Sequence, residues 1–201
     1  MEPPPSEIEA KFVVRRLEPI RQALLQMAAR QTRPRLQETN LRFDDPDGRL
    51  TQAGQVLRLR RNHETRLTFK APGPDFEQRV EIEFGVEDAA AARGLLEALG
   101  FDVIFVYEKY RETFALAHAE IMLDELPFGV FIEIEADQLD HVRQAADRLG
   151  LAWPERLRVS YLGLFERLRR RHGWSFRDAT FANFAEIPPL APEALRAAVG
   201  S

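Results

Sequence analysis

A chain of 201 residues, 45% hydrophobic and 30% charged, has length enough for a sizeable buried core in one large domain or two small ones. Its formal charge of −4 argues against a general nucleic-acid binder, and the absence of cysteine excludes disulfides, thiolate chemistry and sulfur-held zinc. Residues 1–6 lack an apolar h-region and no run of about 18 apolar residues occurs, so neither a signal peptide nor a membrane helix is expected, and the expected location is the cytoplasm.

In chain order, a proline-rich stretch 1–6, expected to be disordered, precedes a strand over 7–15 that alternates Glu7, Glu9 and Lys11 against Ile8. Ile20, Leu24, Leu25, Met27 and Ala28 form an apolar stripe at helical spacing, and the proline between Arg33 and Arg35 is expected to end that helix. A second strand over 37–44 places Thr39, Leu41 and Phe43 on one face, and Asp45-Pro46-Asp47-Gly48 reads as a turn. Strands over 56–62, 66–70 and 78–85 follow as an antiparallel meander: Arg58 and Arg60 oppose Leu57 and Leu59, and Arg79, Glu81 and Glu83 oppose Val80, Ile82 and Phe84. Ala71-Pro72-Gly73-Pro74 closes the middle strand of the three.

A helix is expected over 87–99, with acids in its first turn and Gly100 past its end. A long strand over 103–116 carries Tyr107, Lys109, Arg111 and Thr113 on one face, and strands over 120–124 and 130–136 add Asp124, Glu133 and Glu135. Amphipathic helices over 139–149 and 160–172 complete a domain spanning 7–172. The remainder, 173–201, has aromatics at Trp174, Phe176, Phe181 and Phe184 and reads as an appendage packed on that domain.

The charged strand faces decide the architecture. Seven carboxylates (Glu7, Glu9, Glu81, Glu83, Asp124, Glu133, Glu135) face eight cations (Lys11, Arg58, Arg60, Arg66, Lys70, Arg79, Lys109, Arg111), with few of the threonines that an ordinary solvated strand face favours. About eight strands is also the number that closes naturally into a barrel, with the helices outside covering the apolar faces. A dry interior of this kind would cost several kcal/mol per charge, whereas a water-filled tunnel holding ions would not. Paired carboxylates are the hard oxygen ligands suited to Mg²⁺ or Mn²⁺, and guanidinium and ammonium groups suit phosphate oxygens. The expectation is an α+β protein built on an eight-stranded antiparallel barrel whose charged interior receives a metal-bound polyanion.

Glu7-Ile8-Glu9-Ala10-Lys11 resembles the Glu-x-Glu-x-Lys signature of the CYTH superfamily, the triphosphate tunnel metalloenzymes. The resemblance continues through Leu57-Arg58-Leu59-Arg60, Leu67-Thr68-Phe69-Lys70, Val80-Glu81-Ile82-Glu83, Glu108-Lys109-Tyr110-Arg111 and Leu123-Asp124, and ends on Glu133-Ile134-Glu135. It implies a tunnel in which Glu7, Glu9, Asp124, Glu133 and Glu135, with Glu81 and Glu83, serve Mg²⁺ or Mn²⁺. Lys11, Arg58, Arg60, Lys70, Arg79, Lys109 and Arg111 would hold phosphates, with Arg158 matching the late basic region loosely. Lys11, Lys70, Glu133 and Glu135 are the implied catalytic groups. The implied activity is hydrolysis of a small-molecule triphosphate by a monomer or homodimer; the alternatives are a class IV adenylate cyclase, which forms cyclic AMP and pyrophosphate, and a non-catalytic triphosphate- or polyphosphate-binding module. The absence of any lysine after Lys109 speaks against thiamine triphosphate as the substrate.

Overall fold

A computed structural model describes residues 6–73 and 78–199. The strands are β1 (Ser6–Val14), β2 (Arg30–Asp44), β3 (Val56–Arg61), β4 (Thr65–Pro72), β5 (Gln78–Val86), β6 (Asp102–Leu116), β7 (Ala119–Leu126) and β8 (Gly129–Ala136). The helices are α1 (Glu18–Gln26), α2 (Arg49–Gln52), α3 (Ala89–Ala98), α4 (Leu139–Arg148), α5 (Tyr161–His172) and α6 (Pro192–Ala197). The expected disorder of residues 1–6 lies outside the described residues except at Ser6, which already pairs with Val80.

The eight strands form one antiparallel sheet in the order β1-β5-β4-β3-β2-β6-β7-β8, and β1 pairs with both β5 and β8, so the sheet returns on itself. The two seams at β1 differ in extent. Seven residue pairs join β1 to β8, from Ile8–Ala136 to Val14–Val130, whereas Ser6–Val80, Glu7–Arg79 and Ile8–Gln78 join it to β5 among the described residues.

Two expectations about the early chain are corrected. The helix ends at Gln26, and β2 starts at Arg30, so the proline-bracketed segment is strand rather than helix terminus. Pro34 is tolerated because the β2–β6 register shifts between Arg33 and Leu36, where a missing N–H breaks no ladder. The turn after β2 leads into a short helix, α2, that periodicity did not reveal. Asp44 organises it: its carboxylate is fully buried and accepts from the amides of Asp45, Leu50 and Thr51, each at 2.9 Å.

Apolar packing occurs on both sides of the sheet. Outside, Ile8, Ala10, Phe12, Phe114, Ile121, Ile132 and Ile134 pack under α1 and α4, and a smaller cluster of Phe43, Leu59 and Leu96 lies under α3. Inside, one end of the barrel is apolar. Val13, Phe105, Leu126 and Phe131 share strand faces with Lys11, Tyr107, Asp124 and Glu133, and they pack against Leu164, Phe165 and Leu168 of α5. Phe184 and Leu195 from the C-terminal segment join the same cluster. That segment also completes the sheet. β7 pairs with β6 only from Tyr110 onward, and before it Ala179 takes the free edge, donating to Val106 O at 2.9 Å and accepting from Glu108 N at 3.0 Å. Helix α5 and the tail therefore fill one end of the barrel, and the charged residues occupy the rest.

Candidate functional site

Alternation along the strands carries the charged residues into one cavity of about 220 Å³. Of the sequence-predicted residues, Glu9, Lys11, Arg58, Arg60, Lys70, Glu81, Glu83, Lys109, Arg111, Glu133 and Glu135 line it. The side chain of Glu7 lies outside the described residues. Arg79 and Arg158 line instead a smaller adjoining cavity of about 110 Å³, which shares Glu9, Lys11 and Ser160 with the main one.

The acidic wall is a cross-strand pattern. Glu9 on β1 stands opposite Glu135 on β8, and Lys11 stands opposite Glu133. One carboxylate oxygen from each of Glu9, Glu133 and Glu135 lies within 4.8 Å of the others. The two β8 carboxylates are driven apart electrostatically. For Glu133, burial alone would raise the pKa, but Lys11, Arg111 and Lys109 outweigh it and hold the group well below the usual carboxylate range. For Glu135, burial and then the neighbouring Glu133 push the pKa up to about 7, only partly relieved by Lys70. A trio of hard oxygen donors in which one member is that reluctant to ionise fits a divalent cation, whose charge would favour all three carboxylates. Glu9, Glu133 and Glu135 are the described residues that could hold one.

Glu133 is also tied to the cations. Lys11 Nζ lies 3.2 Å from it, and Arg111 Nη2 donates to its other oxygen. Burial lowers the pKa of Lys11, yet Glu133 and then Glu9 more than reverse this, so it stays an ammonium. Lys70 behaves likewise: burial is outweighed by Glu135, Glu9 and Glu81, and its Nζ lies 2.8 Å from Glu81. On the far side, Glu83 receives Arg60 at 3.2 Å, Arg66 at 3.4 Å and Thr68 Oγ1 at 2.7 Å. Glu81 and Glu83 thus balance the cations beside them and are not part of the three-carboxylate cluster.

Asp124 departs most from its expected place. It is fully buried, does not line the cavity, and its two oxygens accept Lys109 Nζ at 3.0 Å, Arg111 at 2.7 and 2.6 Å, and Tyr161 Oη at 2.9 Å. With four donors on two oxygens it works as an anchor behind the wall rather than as an open ligand.

Sequence reasoning passed over several lining residues. Arg42, Arg33 and Glu120 line the cavity, and Glu38 lies behind it, 3.8 Å from Lys109 and 3.9 Å from Arg60. The signal was present: Glu38, Asn40 and Arg42 alternate with Thr39, Leu41 and Phe43 on β2, the one strand read only for its apolar face. Glu120 continues the acidic row, since it pairs with Glu135 as Glu135 pairs with Glu9. Tyr161, lining the cavity from the start of α5, had no strand pattern to betray it.

The chain matches the CYTH domain over residues 5–161 and belongs to that family, the triphosphate tunnel metalloenzyme superfamily. Among solved structures it is similar to a Vibrio parahaemolyticus protein named as a candidate adenylate cyclase, at 24% identity and a TM-score of 0.71, covering 79% of this chain and 96% of that one. It is similar also to two proteins from Pyrococcus horikoshii, at 26% identity with a TM-score of 0.68 (77% and 96% covered) and at 27% with 0.67 (81% and 99% covered). No curated protein matches the chain in sequence. No helix among the described residues is long and apolar enough to cross a membrane.

Proposed function

We propose that this chain is a divalent-metal-dependent phosphohydrolase of triphosphate compounds, with inorganic triphosphate as the best-fitting substrate. One observation carries the reading: the cavity wall sets the Glu9–Glu133–Glu135 cluster against Lys11, Lys70, Arg58, Arg60, Lys109 and Arg111, and its only aliphatic described residues are Val56, Met122 and Leu162. Such a lining, in which Tyr107 and Tyr161 are the aromatic described members, offers a chain of phosphates far more charge-assisted contacts than it offers a nucleobase apolar surface.

Phosphoryl transfer depends chiefly on positioning and charge neutralisation. A divalent cation held by Glu9, Glu133 and Glu135 would supply charge to phosphate oxygens and lower the pKa of bound water. The arginines and Lys109 orient the phosphates. Lys11 and Lys70, kept protonated beside the acids, neutralise the oxygens nearest the acidic wall. Glu135, whose proton the bound cation would displace, completes the carboxylate set that holds it.

The test is incubation of the purified protein with tripolyphosphate, ATP or thiamine triphosphate, each with Mg²⁺ or Mn²⁺, and separation of the products. Orthophosphate release, greatest with tripolyphosphate, is expected. Cyclic AMP with pyrophosphate would make the chain a cyclase, and tight binding without turnover would make it a binding module.

A further inference from the structure

Tyr161 is the first residue of α5, directly after the Ser160 cap, and is buried with 8% of its surface exposed. It reaches the charged interior from the helix that fills the apolar end of the barrel. Its hydroxyl donates to Asp124 Oδ2 at 2.9 Å, while Lys11 Nζ lies 4.6 Å and Lys109 Nζ 5.4 Å from the centre of its ring. Burial, then Asp124 and Glu133, push the phenol well above its ordinary pKa, so it remains a donor.

These contacts close a circuit. Tyr161 binds Asp124, Asp124 binds Arg111, Arg111 donates to Glu133, Glu133 pairs with Lys11, and Lys11 returns to the Tyr161 ring. Every other member comes from a barrel strand: β1, β6, β7 or β8. An ammonium has no directional fork and sits on a flexible stem, so its location is set by what surrounds it. For Lys11, Glu9 at 3.8 Å and Glu133 at 3.2 Å attract the ammonium, and the Tyr161 ring is a further attractive surface that holds it without neutralising the charge.

We propose that Tyr161 is a positioning residue: its ring and hydroxyl fix Lys11, Lys109 and Asp124 so that the two ammoniums meet phosphate oxygens at set places. This rests on the triphosphate reading of the cavity, and it makes phosphate affinity depend on the seating of α5.

The experiment is calorimetric titration of inorganic tripolyphosphate into metal-free protein in EDTA, for the parent, Tyr161→Phe and Tyr161→Leu, with thermal melts of each. Steady-state KM and kcat follow where turnover exists. Tyr161→Leu, lacking ring and donor, is expected to weaken binding about tenfold or more, and Tyr161→Phe, which keeps the ring, about threefold. Both changes should fall mainly on KM. A purely structural tyrosine would lower the melting temperature and leave the affinity of folded protein unchanged. Binding by a folded Tyr161→Leu protein within about twofold of the parent therefore overturns the proposal. Should that variant fail to fold, Tyr161→Phe decides, and parent-like affinity overturns the proposal. Absence of tripolyphosphate binding by the parent itself would instead sink the triphosphate reading, and this inference with it.

Discussion

Leu195 of α6 lies against the backbone of Gly129, with its Cδ1 only 2.5 Å from the point a Cβ on that glycine would occupy. The β7–β8 turn is thus open to the tail because it carries no side chain there. Gly129→Ala should lose about 1–3 kcal/mol, the usual scale of overpacking in a filled core. The loss should appear in chemical denaturation, with tryptic cleavage first appearing in the tail. A parent-like midpoint would mean that Leu195 is not held there in solution.

Glu133 is the carboxylate shared by the acidic cluster and the two nearest cations. Glu133→Gln should reduce metal-dependent orthophosphate release by about 100-fold or more, the scale on which removal of one preorganised electrostatic group tells on a transition state. Unchanged release from a folded variant would sink the site assignment.

The position of Glu135 sets a pH dependence. Its pKa in the folded protein, about 7, lies above its ordinary value of 4.5, so protons compete with a divalent cation below neutrality. Affinity for Mn²⁺ should rise with pH through about 7 and level off beyond it. Folding stability of the metal-free protein runs the other way for this group. A carboxyl whose pKa is raised on folding stabilises fully below its unfolded pKa, and that contribution is lost as pH rises through 7. In EDTA, Glu135→Gln should therefore raise the melting temperature at about pH 8.5 and leave it near the parent's at about pH 4.5. Equal shifts at both pH values would refute the assignment.

Asp124 supplies a contrast to Glu133. As an anchor rather than a ligand, its replacement should be costly to folding and mild for metal. Asp124→Asn is expected to destabilise by about 3–5 kcal/mol, because Lys109 and Arg111 lose a buried partner, while Mn²⁺ affinity of the remaining folded protein changes little. A variant of parent stability that no longer binds Mn²⁺ would restore Asp124 to the ligand set.

The strands, their order along the chain and the charged face of seven of them were legible because period-2 alternation records burial directly. β2 concealed its inner face, since Glu38, Asn40 and Arg42 mix charge with an amide and follow a proline-bracketed segment that imitates a helix end. The division of labour among the carboxylates was not legible either. Asp124 and Glu133 are both inward-facing acids on neighbouring strands, and only the packing of Lys109, Arg111 and Tyr161 shows that one is fully engaged. Helix periodicity identified α5 as amphipathic, but its apolar stripe looks the same whether it covers a barrel from outside or fills it from one end.

The match to the CYTH domain stops at residue 161, the first of α5, whereas the apolar end of the barrel is filled by buried residues as late as Ala198. The family boundary and the folding boundary are therefore different places on this chain. A fragment cut at the former would keep nearly every charged group of the cavity and lose Leu164, Phe165, Leu168, Phe184 and Leu195, leaving Phe105, Leu126 and Phe131 exposed to water from within. The matched piece holds the charged groups of the cavity, and the unmatched piece supplies the apolar side chains that close its other end.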